Sequence, residues 1–170
     1  MNNNKKKFNK SYLLIIIPSV IFCLLFSGII LDFVIFNFTY VSPQEKIIDS
    51  IGKSECEVYY SNNGFQEYTD FAVYTYSEPE IVKSENFRKA YNKNKLESYL
   101  NNFENMVNSY SDDREIKKNY SFDKSIIDNE DYIYIYDKSD DEELYDQFEN
   151  YDIYIFDIQS EKLYYFHNNI

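Results

Sequence analysis

One stretch constrains this chain more than any other: residues 12–36, YLLIIIPSVIFCLLFSGIILDFVIF. Its first twenty residues, 12–31, carry no charge. At about 1.5 Å of rise per helical residue they match the roughly 30 Å hydrocarbon thickness of a bilayer. The run therefore reads as a transmembrane helix with the lipid bilayer as its partner. Asp32 marks the outer boundary, since a carboxylate at the hydrocarbon edge reaches the head groups and one at the centre is costly. A cleaved signal peptide has an apolar core of about 7–15 residues and small residues at the cut. This run is longer and no such site follows it, while bulky Val20, Ile21 and Phe22 before Cys23 argue against a lipoprotein signal. Pro18 and Gly28 are tolerated in a helix surrounded by lipid.

Lys5, Lys6, Lys7 and Lys10 precede the run, whereas Glu45, Lys46 and Asp49 follow it. By the positive-inside rule the amino terminus is cytoplasmic and the rest lies outside the cell membrane. The expected division is a basic tail at 1–11, the span at 12–36, a linker at 37–53 holding a short helix, and an extracytoplasmic domain at 54–170. Residues 33–170 carry 28 acidic and 13 basic side chains, a net charge of −15. Such a surface repels nucleic acid. Cys23 lies in the span and Cys56 beyond it, so no disulfide can form within the outer domain, a usage that suits a bacterial surface.

Ser42-Pro43 and the spacing of Ile47, Ile48 and Ile51 predict the linker helix, with Gly52 ending it. ECEVYYS at 55–61 alternates with a period of two, placing Cys56 on one face with Val58 and Tyr60, the setting of a buried and inert thiol. Asn62-Asn63-Gly64 signals a turn before YTDFAVYTYS at 68–77, completing a hairpin. The strongest helical pattern covers 94–110, where Leu96, Tyr99, Leu100, Phe103, Met106, Val107 and Tyr110 recur along one face, and Asn94 with Glu97 forms a capping pair. Phe87 and Tyr91 suggest a preceding turn of helix, and 111–119 reads as a loop. YIYIY at 132–136, YDIYIFD at 151–157 and KLYYFH at 162–167 form a three-stranded meander, with 120–127 a doubtful further strand. The fold class is therefore α+β: the transmembrane helix, then an antiparallel sheet of about five strands packed on one long helix.

Motifs that carry chemistry are scarce. His167 is the single histidine, which excludes a histidine-rich metal site, and three glycines leave no phosphate-binding or dinucleotide loop. No G-x-S-x-G turn supplies a nucleophile. Asp137, Asp140, Asp141, Glu142 and Glu143 offer the oxygen ligands that Ca²⁺ prefers. They lack the spacing and central glycine of an EF-hand, so a solvated acidic loop is the expectation and no metal or cofactor is assigned. The pairs Asp123/Asp128 and Asp152/Asp157 could serve as glycosidase-like acids, although any chain this acidic supplies such pairs by chance. With Ile133, Ile135, Ile153 and Ile155 turned toward the helix, Tyr132, Tyr134, Tyr136 and Tyr154 tile the opposite face of the sheet. Tyrosine gives large amphipathic contact area at low entropic cost, so that face could bind a peptide, a glycan or another protein, or simply stabilise an open sheet.

GFQEYTDFAVYTY at 64–76, NKLESYLNNFENMV at 94–107 and FENYDIYIFDIQSEKLYYFHNN at 148–169 resemble small uncharacterised membrane-anchored proteins of AT-rich Gram-positive bacteria. The resemblance implies the same topology at a bacterial surface and brings no catalytic residues with it. The expectation is a membrane-anchored, non-catalytic binding module at the cell envelope. Two other readings stay open, a hydrolase acting on envelope polymers through acidic residues and an immunity-type protein protecting the membrane.

Overall fold

The computed structural model describes residue 27, residues 41–63, 68–91, 93–140 and 146–170. The apolar run at 12–36 lies outside these except for Ser27, and among the described residues no helix is long and apolar enough to cross a membrane. One compact unit covers Pro43–Ile170.

Alternation of branched and aromatic residues builds its antiparallel sheet: β1 (Ser54–Asn63), β2 (Tyr68–Tyr76), β3 (Arg88–Lys89), β4 (Tyr132–Asp137), β5 (Asn150–Asp157) and β6 (Lys162–Asn169). The spatial order is β1-β2-β6-β5-β4-β3. The unit is α+β, with six strands where the sequence suggests five. The extra strand is β3, where Arg88 and Lys89 pair with Ile133 and Tyr132 in place of the expected helical turn. Two residues carry no readable hydrophobic period. The hairpin β1–β2 and the meander β4–β5–β6 form as the alternation predicts, and β6 joins them by pairing with both β2 and β5.

Helix α1 (Pro43–Asp49) belongs to the same compact unit as the sheet. Gly52 follows it at φ 141°, and an added Cβ there would lie 3.1 Å from the Glu78 carbonyl oxygen, so a side chain is strained by the conformation and crowded by that carbonyl. Helix α2 (Asn94–Ser109) buries Leu96, Tyr99, Leu100, Phe103 and Val107. The expected Asn94–Glu97 cap does not form: Lys93 occupies the cap position, and the Glu97 amide bonds its carbonyl at 2.8 Å. The helix holds through its apolar stripe instead. Within the expected loop at 111–119, a short helix α3 (Glu115–Asn119) buries Ile116. The 120–127 segment is not a strand and contains a single 3₁₀ turn, Lys124–Ile126.

The sheet divides two cores. On one face, α2, α3 and the 120–127 segment pack on Phe71, Val73, Tyr151, Ile153, Ile155 and Phe166. The opposite face holds Ala72, Tyr76, Tyr154, Phe156, Leu163 and Tyr165, under Ile48 and Ile51 and beside Ile81 and Phe87. The Tyr76 hydroxyl donates to the Ile48 carbonyl at 2.9 Å, and the Glu80 amide bonds the Ile51 carbonyl at 2.6 Å. These bonds tie α1 and the residues after it to the sheet.

A β-bulge between Cys56 and Val58 corrects the reading of β1. Cys56 pairs with Tyr74 and Val58 with Val73, so they point to opposite faces. The Cys56 thiol is exposed, not in the core, and its Sγ donates to the Val58 carbonyl at 3.4 Å.

Candidate functional site

The pairing register fixes what lies on the α1 side of the sheet, because residues opposite one another on neighbouring strands share a face. One row runs Asp70, His167, Asp152 and Tyr136 across β2, β6, β5 and β4. The next runs Ala72, Tyr165, Tyr154 and Tyr134. On the other side of the polar row, Asn169 faces Asn150, whose side-chain amide donates to Asn169 Oδ1 at 2.8 Å. A polar strip thus adjoins an aromatic one, and a recess of about 440 Å³ opens between them and α1. Pro43, Gln44, Lys46 and Ile47 form its helical wall, Tyr134, Tyr136 and Tyr154 its aromatic side, and Lys138, Asn150, Asp152, His167 and Asn169 its polar side.

At the centre of the strip, His167 Nδ1 lies 2.9 Å from Asp152 Oδ1, with both side chains 15% exposed. The Tyr165 hydroxyl donates to the same oxygen at 2.8 Å. An ionised carboxylate only accepts, so the proton belongs on Nδ1 and Nε2 is left for a ligand or a water. Burial, reinforced by the charge of Asp152, pushes the Tyr165 and Tyr154 phenols far above their ordinary value, which keeps both as hydrogen-bond donors. The Tyr165 ring lies nearly parallel to the imidazole at an interplanar angle of 11°. Tyr134 and Tyr154 stack on each other at 5.6 Å and 20°. An imidazole held in this way can accept a hydrogen bond or activate a water, but no Ser, Thr or Cys lines the recess among the described residues.

The tyrosine side chains read from the sequence are on this face, which is less open than an uncovered sheet. Tyr154 is 2% exposed, and Tyr132, Tyr134 and Tyr136 are half-buried. Phe87 packs on Tyr134 and Tyr154, and Lys89 Nζ lies 4.2 Å from the Tyr132 ring centroid. Of the four, Tyr134, Tyr136 and Tyr154 line the recess and Tyr132 does not.

The two described carboxylates of the acidic segment both have partners. Asp137 is buried and accepts from the Tyr99 hydroxyl at 2.6 Å, the Ser139 amide at 2.9 Å and the Ser139 hydroxyl at 2.6 Å. Burial alone would raise its carboxyl, but these bonds and one from the Phe148 amide outweigh that and hold it below the usual carboxylate range. Asp140 is exposed and pairs with Lys95 at 3.8 Å, while Asp141, Glu142 and Glu143 lie outside the described residues. Among the described residues no group of three His, Cys, Asp or Glu side chains assembles that could hold a metal ion.

The acids of the two pairs are engaged elsewhere. Asp152 and Asp157 are five apart on one strand and therefore face opposite ways. Asp157 caps its turn through Gln159 and Ser160, and Asp123 caps the 3₁₀ turn through the Ser125 amide at 2.9 Å. Asp128 accepts from the Glu130 amide at 2.7 Å and from the Gln159 side chain at 2.9 Å.

The Asp152–His167 contact was open to counting. Asp157 and Lys162 pair at the ends of the turn, so five steps back and five forward bring Asp152 opposite His167. Comparison with models of protein families, with curated proteins and with solved structures finds no match to this chain.

Proposed function

We propose that the chain is a single-pass membrane protein of the cell envelope whose outer α+β domain is a binding module, with the recess under α1 as its ligand site. The observation that carries this reading is the recess itself. Its volume falls within the roughly 300–1,000 Å³ of small-molecule sites, and it combines an aromatic wall with a few convergent polar groups. The apolar run at 12–36 and the lysines before it support the anchor and its orientation.

Cys56 supplies a test of orientation, because its thiol is exposed. A membrane-impermeant maleimide added to intact cells is expected to label the chain, and Cys56→Ser to abolish the label. Labelling only after lysis would place the domain on the cytoplasmic face. Ligand-observed saturation-transfer NMR on the full chain in detergent, run with a fragment library, tests the site. Hits are expected that Tyr134→Ala removes; hits indifferent to that change would move the site elsewhere.

A second reading rests on the Asp152–His167 pair, which has the form of a water-activating base in a hydrolase of envelope polymers. It requires product release from cell-wall polymers that His167→Gln eliminates.

A further inference from the structure

The two edges of the sheet are unlike. β3 ends it on one side with two residues, whereas β1 ends it on the other with ten. Among the described residues no strand other than β2 pairs with β1. A strand bonds its two neighbours through backbone groups on opposite edges, so the outward groups of β1 face no further strand and can pair with an extended chain laid beside them.

The bulge between Cys56 and Val58 interrupts the ladder, and the regular stretch begins at Val58. Val58 and Tyr60, opposite Val73 and Phe71, stand on the α2 side of the sheet. Both line a cleft of about 270 Å³ whose remaining walls include Asn119 at the end of α3, Phe122 and Ile126. Ile126 is 37% exposed. Side chains alternate along a strand, so a chain paired with β1 would bring every second side chain to about 5 Å from Val58 or Tyr60, on the side where this cleft lies.

Charge narrows the occupant. Glu57 is offset by Lys162 at 2.7 Å. Glu55 and Asp123 are exposed, and among the described residues neither has a basic partner. The site therefore sets two uncompensated carboxylates around an apolar cleft, in a domain whose residues 33–170 carry a net charge of −15. A second copy of the chain would bring the same charge to the contact and is repelled, whereas a cationic chain is attracted.

We propose that the β1 edge docks an extended segment of a basic partner protein, which adds a strand to the sheet beside Val58 and Tyr60 and seats an apolar side chain, flanked by lysines or arginines, in the cleft. Backbone pairing supplies the affinity and the cleft and carboxylates the selectivity. This site lies on the α2 side of the sheet and is separate from the recess under α1.

The test uses a short fluorescent peptide alternating lysine with valine, its glutamate–valine counterpart, and fluorescence anisotropy on the full chain in detergent. The lysine peptide is expected to bind at least about tenfold more tightly than the glutamate peptide, with the margin shrinking as salt is raised. Glu55→Lys and Ile126→Ser alter exposed residues, and each is expected to weaken the lysine peptide about threefold or more without lowering the melting temperature. N-methylating the valine amides and the lysine amides separately is expected to abolish binding in one peptide only, because a docked strand bonds through one edge. Tyr134→Ala is expected to leave the peptide bound.

Equal binding of the two peptides, or indifference to both Glu55→Lys and Ile126→Ser, overturns the site. An equal response to the two methylation patterns overturns strand addition, and loss of the peptide in Tyr134→Ala moves it to the recess. Self-association of the full chain in sedimentation, dissolved by the lysine peptide, would make the occupant a second copy and overturn the basic partner.

Discussion

The two faces of the sheet are made by the same strands and differ in what covers them. On one, the 16-residue α2, with α3 and the 120–127 segment, closes over Ile153, Ile155 and Phe166 until each is 0% exposed. On the other, the 7-residue α1 covers Tyr76, Tyr154 and Leu163 and then ends. A helix of two turns carries too short an apolar stripe to close a six-stranded face. Where its cover stops, the side chains on the strands become His167, Asp152, Asn150 and Asn169, and the recess begins. The comparison teaches that the sealed face fixes the fold, while the half-covered face leaves room for polar groups that a dry core would not tolerate unpaired.

The largest expected effect lies on the sealed face. Phe103 is 0% exposed and packs against Tyr120 and Phe166 at ring separations of 5.5 and 5.2 Å. Phe103→Ala is expected to lower unfolding stability by about 3–5 kcal/mol in a urea titration. A loss below about 1 kcal/mol would break the claim that this face is a rigid, dry core.

An intermediate effect is expected at Asp137, whose carboxylate joins the end of β4 to Tyr99 of α2. Asp137→Asn should cost about 1–3 kcal/mol at neutral pH, because it weakens bonds from buried donors. The sign of the pH dependence follows from the lowered carboxyl. Its stabilisation is complete above the ordinary aspartate value of about 3.9 and is lost as pH falls through the lower folded value. The wild-type advantage over Asp137→Asn should therefore shrink in melts below about pH 4, and a deficit that stays constant with pH would rule out the ionised carboxylate as its source.

The smallest effect belongs to the half-covered face. His167→Gln is expected to change stability by no more than about 1 kcal/mol, the worth of one partly exposed hydrogen bond. A loss rivalling that of Phe103→Ala would make the polar strip a structural element and remove the contrast between the faces.

Much of this architecture was legible in the sequence because period-two alternation assigns faces directly. Ile133, Ile135, Ile153 and Ile155 fall together on the α2 side, and Tyr132, Tyr134 and Tyr154 on the other. The stripe of α2 was equally clear. Three features were not. β3 is too short to carry a pattern, the bulge at Cys56 reverses the alternation without any glycine to announce it, and the capping pair at Asn94 has the right residues in the wrong place.

The recess was only half readable. Its tyrosines follow from alternation and its Asp–His pair from register, but α1 as a wall follows from neither. Ile47, Ile48 and Ile51 show that the helix has an apolar side and do not show what that side meets. The acidic segment misled for a related reason: composition counted Asp137 among solvated charges, whereas Asp-x-Ser at 137–139 is a local turn signal that folds the carboxylate inward.

The position of β6 has a consequence for timing. The strand lies between β2 and β5, so the hairpin 54–76 and the strands at 132–157 touch each other within the sheet only through residues 162–169. Synthesis runs from the amino end, and these residues leave the ribosome after every other strand. Until they pair, the backbone ladder is two separate pieces, so the continuity of the sheet depends on this one strand.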